Sequence, residues 1–111
     1  MKLRIESVEA DGRVLLQVTG SLDAYGGPQL REVLARIAIR KPAMVEVNLM
    51  GIDYLDSFGT GELLEGIRAI EAQGGDVSVP LADHMGRPLL RLGLGEPLHL
   101  VLKPTLVPAG V

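Results

Sequence analysis

Cysteine and tryptophan are absent from the 111 residues, and aromatic residues make up only 3% of them. Without cysteine there is no disulfide framework, no zinc-finger ligand set, no dithiol motif and no thiol nucleophile. One Phe and two Tyr make no base-stacking platform. A formal charge of −3 lacks the basic footprint that non-specific nucleic-acid binding needs. No apolar run approaches the roughly 20 residues of a membrane span, and Met1-Lys2-Leu3-Arg4-Ile5-Glu6 alternates where a secretory signal would be continuously apolar. Neither a nucleic-acid partner nor direct membrane insertion is therefore expected. With 47% hydrophobic residues, the chain has the composition of one soluble, cytoplasmic domain whose core is Leu, Val, Ile and Ala.

Periodicity supplies the elements. Residues 2–8 alternate apolar and charged side chains, as do Val14, Leu16 and Val18 with their neighbours, a strand signature. Asp11-Gly12 between them is a strong hairpin signal. Pro28 suits the first turn of a helix, whose apolar stripe is Leu30, Val33, Leu34 and Ile37; Pro42 stops it. Residues 44–49 read as a strand and 50–55 as a turn. A second helix is expected from Thr60, with Leu63, Leu64, Ile67 and Ile70 buried and Gly74-Gly75 at its end. Residues 76–79 form a short strand closed by Pro80, 85–94 a weaker helix, and 98–102 a last strand. The order β-β-α-β-α-β-α-β makes an α/β fold: a mixed sheet with an N-terminal β-hairpin and crossover helices. Residues 1–103 form the domain, and 104–111 read as a flexible tail.

Chemistry concentrates between Asn48 and Glu62, where a strand passes into a helix through Asp56, Ser57, Phe58, Gly59, Thr60 and Gly61. Loops beyond the carboxyl ends of parallel strands are the functional edge of open α/β sheets. Ser57 lies at or just before the helix N-terminus. It can be simply an N-cap worth about 1 kcal/mol. It can also be a modification site, because a helix start tolerates the roughly 1.5–2 negative charges of a phosphoryl group. Gly59 and Gly61 complete neither a dinucleotide fingerprint nor a P-loop; they keep the helix start open to another protein's backbone. Asp53 and Asp56 are too few for a magnesium site, so Asp53 is expected to shape the turn and Asp56 to orient the loop. His84 and His99 are too far apart, in different elements, to pair as metal ligands. No nucleophile–base pair or cofactor fingerprint emerges, so neither enzymatic activity nor a cofactor is expected.

Val18-Thr19-Gly20-Ser21-Leu22-Asp23, Val45-Glu46-Val47-Asn48-Leu49 and Tyr54-Leu55-Asp56-Ser57-Phe58-Gly59-Thr60-Gly61 together resemble the STAS domain. More narrowly, they resemble bacterial anti-sigma factor antagonists, over about residues 3–102. The resemblance implies a partner-switching regulator that binds an anti-sigma factor, itself an ATP-using serine kinase. Phosphorylation would fall on Ser57 and be reversed by a serine phosphatase. Asp23, Asp56, Ser57, Phe58, Gly59, Thr60 and Gly61 would form the partner-binding surface, with the two acids ordering the loop and guiding the kinase. Phe58 departs from the family's Ser or Thr; it either staples the helix start from below or widens the docking surface from above. A STAS-like accessory or scaffold subunit without phosphorylation, in a stress-signalling assembly or a lipid-transport ATPase, is the alternative. The low net charge and Leu-rich third helix would permit a weak homodimer.

Overall fold

A computed structural model describes residues 2–104; the tail expected over 104–111 lies, apart from Pro104, outside the described residues. The elements follow the expected order: β1 (Arg4–Ala10), β2 (Arg13–Leu22), α1 (Gly26–Ile39), β3 (Met44–Leu55), α2 (Ser57–Ala72), β4 (Asp76–Ala82), α3 (Asp83–Arg91) and β5 (Leu100–Lys103). The five strands form one sheet in sequence order, β1 antiparallel to β2 and every later pair parallel. Asp11 and Gly12 both take positive φ, 52° and 76°, the conformation of a two-residue hairpin turn that matches strand twist.

Each parallel step moves the same way across the sheet, and right-handed crossovers then place all three helices on one face. Burial alternates accordingly. Val14, Leu16, Val18, Val45, Val47, Leu49, Val77, Val79 and Leu81 are buried towards the helices, while Arg13, Gln17 and Thr19 point to the open face and are exposed. The helices close this core with Leu30, Leu34 and Ile37 from α1 and Leu63, Ile67 and Ile70 from α2; Val33 and Leu64 pack at its margin. At Gly66 an added Cβ would stand 2.4 Å from the Leu34 side chain, so the absence of a side chain lets α1 and α2 approach.

Several boundaries differ from the periodic reading, each for a physical reason. β3 continues through residues 50–55, because it carries two extra residues relative to β2, at the shifts between Gln17/Thr19 and Gly20/Ser21. Asn48 Oδ1 accepts from the Met50 backbone N–H at 2.9 Å beside the first bulge. The buried positions therefore jump from Leu49 to Ile52, which disguises a bulged strand as a turn.

β4 runs past Pro80 because its partners change midway. It pairs with β3 over Asp76–Ser78 and with β5 from Val79 onwards. The Val79 N–H donates to the His99 carbonyl on the β5 side. Pro80, one residue on, directs its missing donor towards β3, where the ladder has already ended.

The third helix begins at Asp83, two residues before Met85, and ends at Arg91. Asp83 binds Arg87 one turn later at 2.7 Å. The final strand starts at Leu100 instead of Leu98, since Leu98 is wholly buried in a turn and His99 takes a positive φ of 52°.

Candidate functional site

The residues singled out above gather where β2 and β3 end and α1 and α2 begin, at the carboxyl edge of the parallel strands. Helix α2 starts at Ser57, three residues before Thr60. Asp56 is its N-cap, in extended conformation, and its carboxylate accepts from the Gly59 N–H at 2.9 Å. The Thr60 hydroxyl donates to the Asp56 carbonyl at 2.8 Å. The capping role considered for Ser57 thus belongs to Asp56. Ser57 occupies the first helical position, is exposed, and makes no side-chain hydrogen bond among the described residues.

Gly59 has a different task from the one its neighbours suggest. A Cβ there would lie 1.9 Å from the Leu22 carbonyl oxygen, so its bare backbone seats the start of α2 on the end of β2. Gly59 and Thr60 are buried, and Thr60 also lines a groove beside Ser57. Gly61 is exposed, with no atom within 4 Å of the position a Cβ would take.

Asp23 accepts from the backbone N–H of Gly26 at 2.8 Å and of Tyr25 at 2.9 Å. These two bonds, Gly26 first, hold its carboxyl below the usual Asp value of 3.8, because they favour the ionised form. Its role is to order the β2–α1 connection. Asp53 lies within β3, not in a turn, and accepts from the Ser21 hydroxyl of β2 at 3.1 Å. Each acid thus has its own local task. Among the described residues no group of three or more His, Cys, Asp or Glu could hold a metal ion. His99 Nε2 lies 3.0 Å from Glu71, whereas His84 sits on α3.

All three aromatic residues of the chain are exposed at this edge: Tyr25 by 90%, Tyr54 by 50% and Phe58 by 68%. Phe58 therefore stands out from the helix start and does not staple it. Tyr25 and Tyr54 escaped the sequence reading. Their signal was scarcity, since every aromatic falls within four residues of Asp23 or Ser57.

Beside Ser57 an apolar groove of about 610 Å³ opens between α2, α3 and the end of β3. Its walls include Tyr54, Leu64, Met85, Leu89, Leu92 and Leu94. Its lining reaches from Ser57 and His84, near the two helix starts, to Leu64 and Leu92.

A model of the STAS domain matches residues 4–92. The chain belongs to the STAS domain family. The anti-sigma-B factor antagonist of Staphylococcus epidermidis is 30% identical to this STAS domain over 101 residues, spanning 90% of the chain and 94% of that relative. Among solved structures, an anti-sigma factor antagonist from Mycobacterium paratuberculosis superposes with a TM-score of 0.76 at 22% identity, covering 95% of this chain and 88% of the other. The Bacillus cell fate determinant SpoIIAA in its phosphorylated form superposes at 0.68 with 19% identity, covering 90% and 91%. These superpositions establish the fold: a five-stranded mixed sheet with three helices. No helix of the described residues is long and apolar enough to cross a membrane.

Proposed function

We propose that this STAS domain is an anti-sigma factor antagonist, a cytoplasmic partner-switching regulator that binds an anti-sigma factor with serine-kinase activity and is controlled at Ser57. The observation that carries the reading is the state of that hydroxyl. It is exposed, it starts α2, and Asp56 relieves it of capping duty. The staphylococcal relative, which this chain matches along nearly its whole length, supports the same assignment.

The kinase supplies the ATP. Ser57 Oγ attacks the γ-phosphorus, the bond to the β–γ bridging oxygen breaks, ADP leaves, and the hydroxyl proton passes to the kinase's base. The product bears about 1.5–2 negative charges beside the helix start, whose dipole favours an anion by roughly 0.3–1 kcal/mol. The domain therefore stays folded when modified. Docking suffers, because the phosphate must be dehydrated wherever the partner covers it. A serine phosphatase restores the binding form. The domain's own part is recognition and not catalysis, since Asp23, Asp53 and Asp56 are each committed to a neighbouring hydrogen bond.

The test is a titration against the organism's kinase-type anti-sigma factors. Ser57→Ala should bind as the unmodified protein does, while Ser57→Asp should bind about tenfold more weakly or worse. Equal affinities for the two variants would remove the switch. Intact mass after incubation with kinase and ATP should rise by one phosphoryl group, absent in Ser57→Ala.

A further inference from the structure

The close fit of Gly59 on Leu22 fixes how deeply α2 sits, but not the path by which the chain enters it. The last pairs between β2 and β3 are Gly20 with Ile52, Ser21 with Tyr54 and Leu22 with Leu55, so the ladder passes over Asp53. Gly20 takes a positive φ of 97° at this bulge, and a Cβ there would lie 2.3 Å from the Lys2 carbonyl oxygen; both facts call for glycine. The extra residue is tied down by its side chain, because the Asp53 carboxylate accepts from the Ser21 hydroxyl at 3.1 Å. Ser21 is buried whereas Asp53 is exposed, so the bond draws a surface acid back against the end of β2. Beyond it the backbone support thins. The Asp56 N–H reaches the Leu22 carbonyl only at 3.4 Å, a long bond, and Ser57 follows directly.

A one-residue slip moves a strand by about 3.3 Å and exchanges its faces. Ile52 is buried and holds the register before the bulge, so a slip would fall on residues 53–56 and carry the Asp56 cap and Ser57 with it. Phosphoryl transfer rests on positioning and electrostatics, and a misplacement of about 1 Å can cost on the order of 100-fold in rate. We propose that Asp53 is a positioning residue for phosphorylation: its hydrogen bond to Ser21 locks the bulge at the end of β3 and thereby holds the Ser57 hydroxyl where the kinase takes it. This deepens the proposed function and rests on it. The role belongs to the acceptor oxygen and not to the charge, which separates it from recognition of an acid by the kinase.

The test uses the full chain in single turnover with ATP and an excess of each of the organism's purified kinase-type anti-sigma factors. It reads the rate at saturation and the kinase concentration that gives half of it. Asp53→Ala should lower the saturating rate about tenfold or more, with half-saturation within about twofold of wild type. Asp53→Asn keeps an oxygen for the Ser21 hydroxyl and should return the rate to within about twofold. Adding Ser21→Ala to Asp53→Ala should change the rate by no more than about twofold further, because the two act through one bond. Ile67→Val, in the buried face of α2, lowers stability and should leave the rate unchanged. Circular dichroism checks that every variant is folded; if Asp53→Ala is not, Ser21→Ala alone replaces it, with the same loss expected. A wild-type rate for Asp53→Ala would overturn the positioning role and leave the switch standing. So would a rate for Asp53→Asn as low as that for Asp53→Ala, which would assign the effect to charge, or an equal loss at Ile67→Val, which would assign it to stability. A wild-type chain that none of the kinases phosphorylates at Ser57 would overturn the proposed function and this inference with it.

Discussion

Gly59→Ala is the substitution that most directly examines how the site is built. The new methyl would sit 1.9 Å from the carbonyl oxygen of Leu22, and that carbonyl carbon lies only 2.4 Å away. Both are backbone atoms at the end of a strand whose last side chain is fully buried, so neither can rotate aside. The start of α2 must lift by well over an ångström to reach ordinary contact. Lifting it strains the core, at about 1–3 kcal/mol for overpacking, and disturbs the Asp56 cap, at about 0.5–2 kcal/mol. At roughly 4 °C per kcal/mol for a domain of this size, the melting temperature should fall by about 6–20 °C. Gly61→Ala is the matched control. Open space surrounds that position, and Ala exceeds Gly by about 1 kcal/mol inside a helix, so it should melt a few degrees higher, by roughly 4 °C. Thermal unfolding followed by far-ultraviolet circular dichroism measures both. A Gly59→Ala protein melting with the wild type would refute the close seating of α2 on β2.

The other predictions concern the surface and its charges. Phe58→Ala should leave stability within about 0.5 kcal/mol, since the ring is mostly exposed, yet weaken anti-sigma factor binding about tenfold; unchanged affinity would exclude an anchoring role. Asp23 has a carboxyl held below its ordinary value by the Gly26 and Tyr25 N–H groups. Its contribution to stability is therefore complete above the unfolded value and disappears as pH falls through that value to the folded one. Asp23→Asn should be less stable than wild type at pH 6, and the gap in urea unfolding should narrow towards pH 3. A gap independent of pH would show that the charge does not matter.

Much of the fold was legible because patterning and turn chemistry agree. Alternation in β1 and β2 flanks an Asp-Gly turn, and stripes at three and four residues mark α1 and α2. What escaped depends on geometry that a linear pattern does not carry. Two extra residues in β3 shift Leu49 and Ile52 out of alternation. Pro80 is harmless only because β4 changes partners at Val79. At the site, Asp56 and Ser57 can both cap a helix; only the extended backbone of Asp56 assigns it the role. Gly59 and Gly61 look equivalent in sequence, yet one is pressed on Leu22 and the other faces open space. Tyr25 and Tyr54 went unremarked because exposed aromatics have no periodic signature.

The placement of every aromatic ring outside the core has a spectroscopic consequence. With no tryptophan, and with both tyrosines in solvent at the carboxyl edge, the natural fluorophores report on that edge and hardly at all on the hydrophobic interior. Near-ultraviolet circular dichroism of the well-packed domain should be almost flat, a signal otherwise taken for a molten globule. Quenching or blue-shifted emission from Tyr25 and Tyr54 would instead signal an arriving protein, so the chain carries an intrinsic label for association but almost none for unfolding.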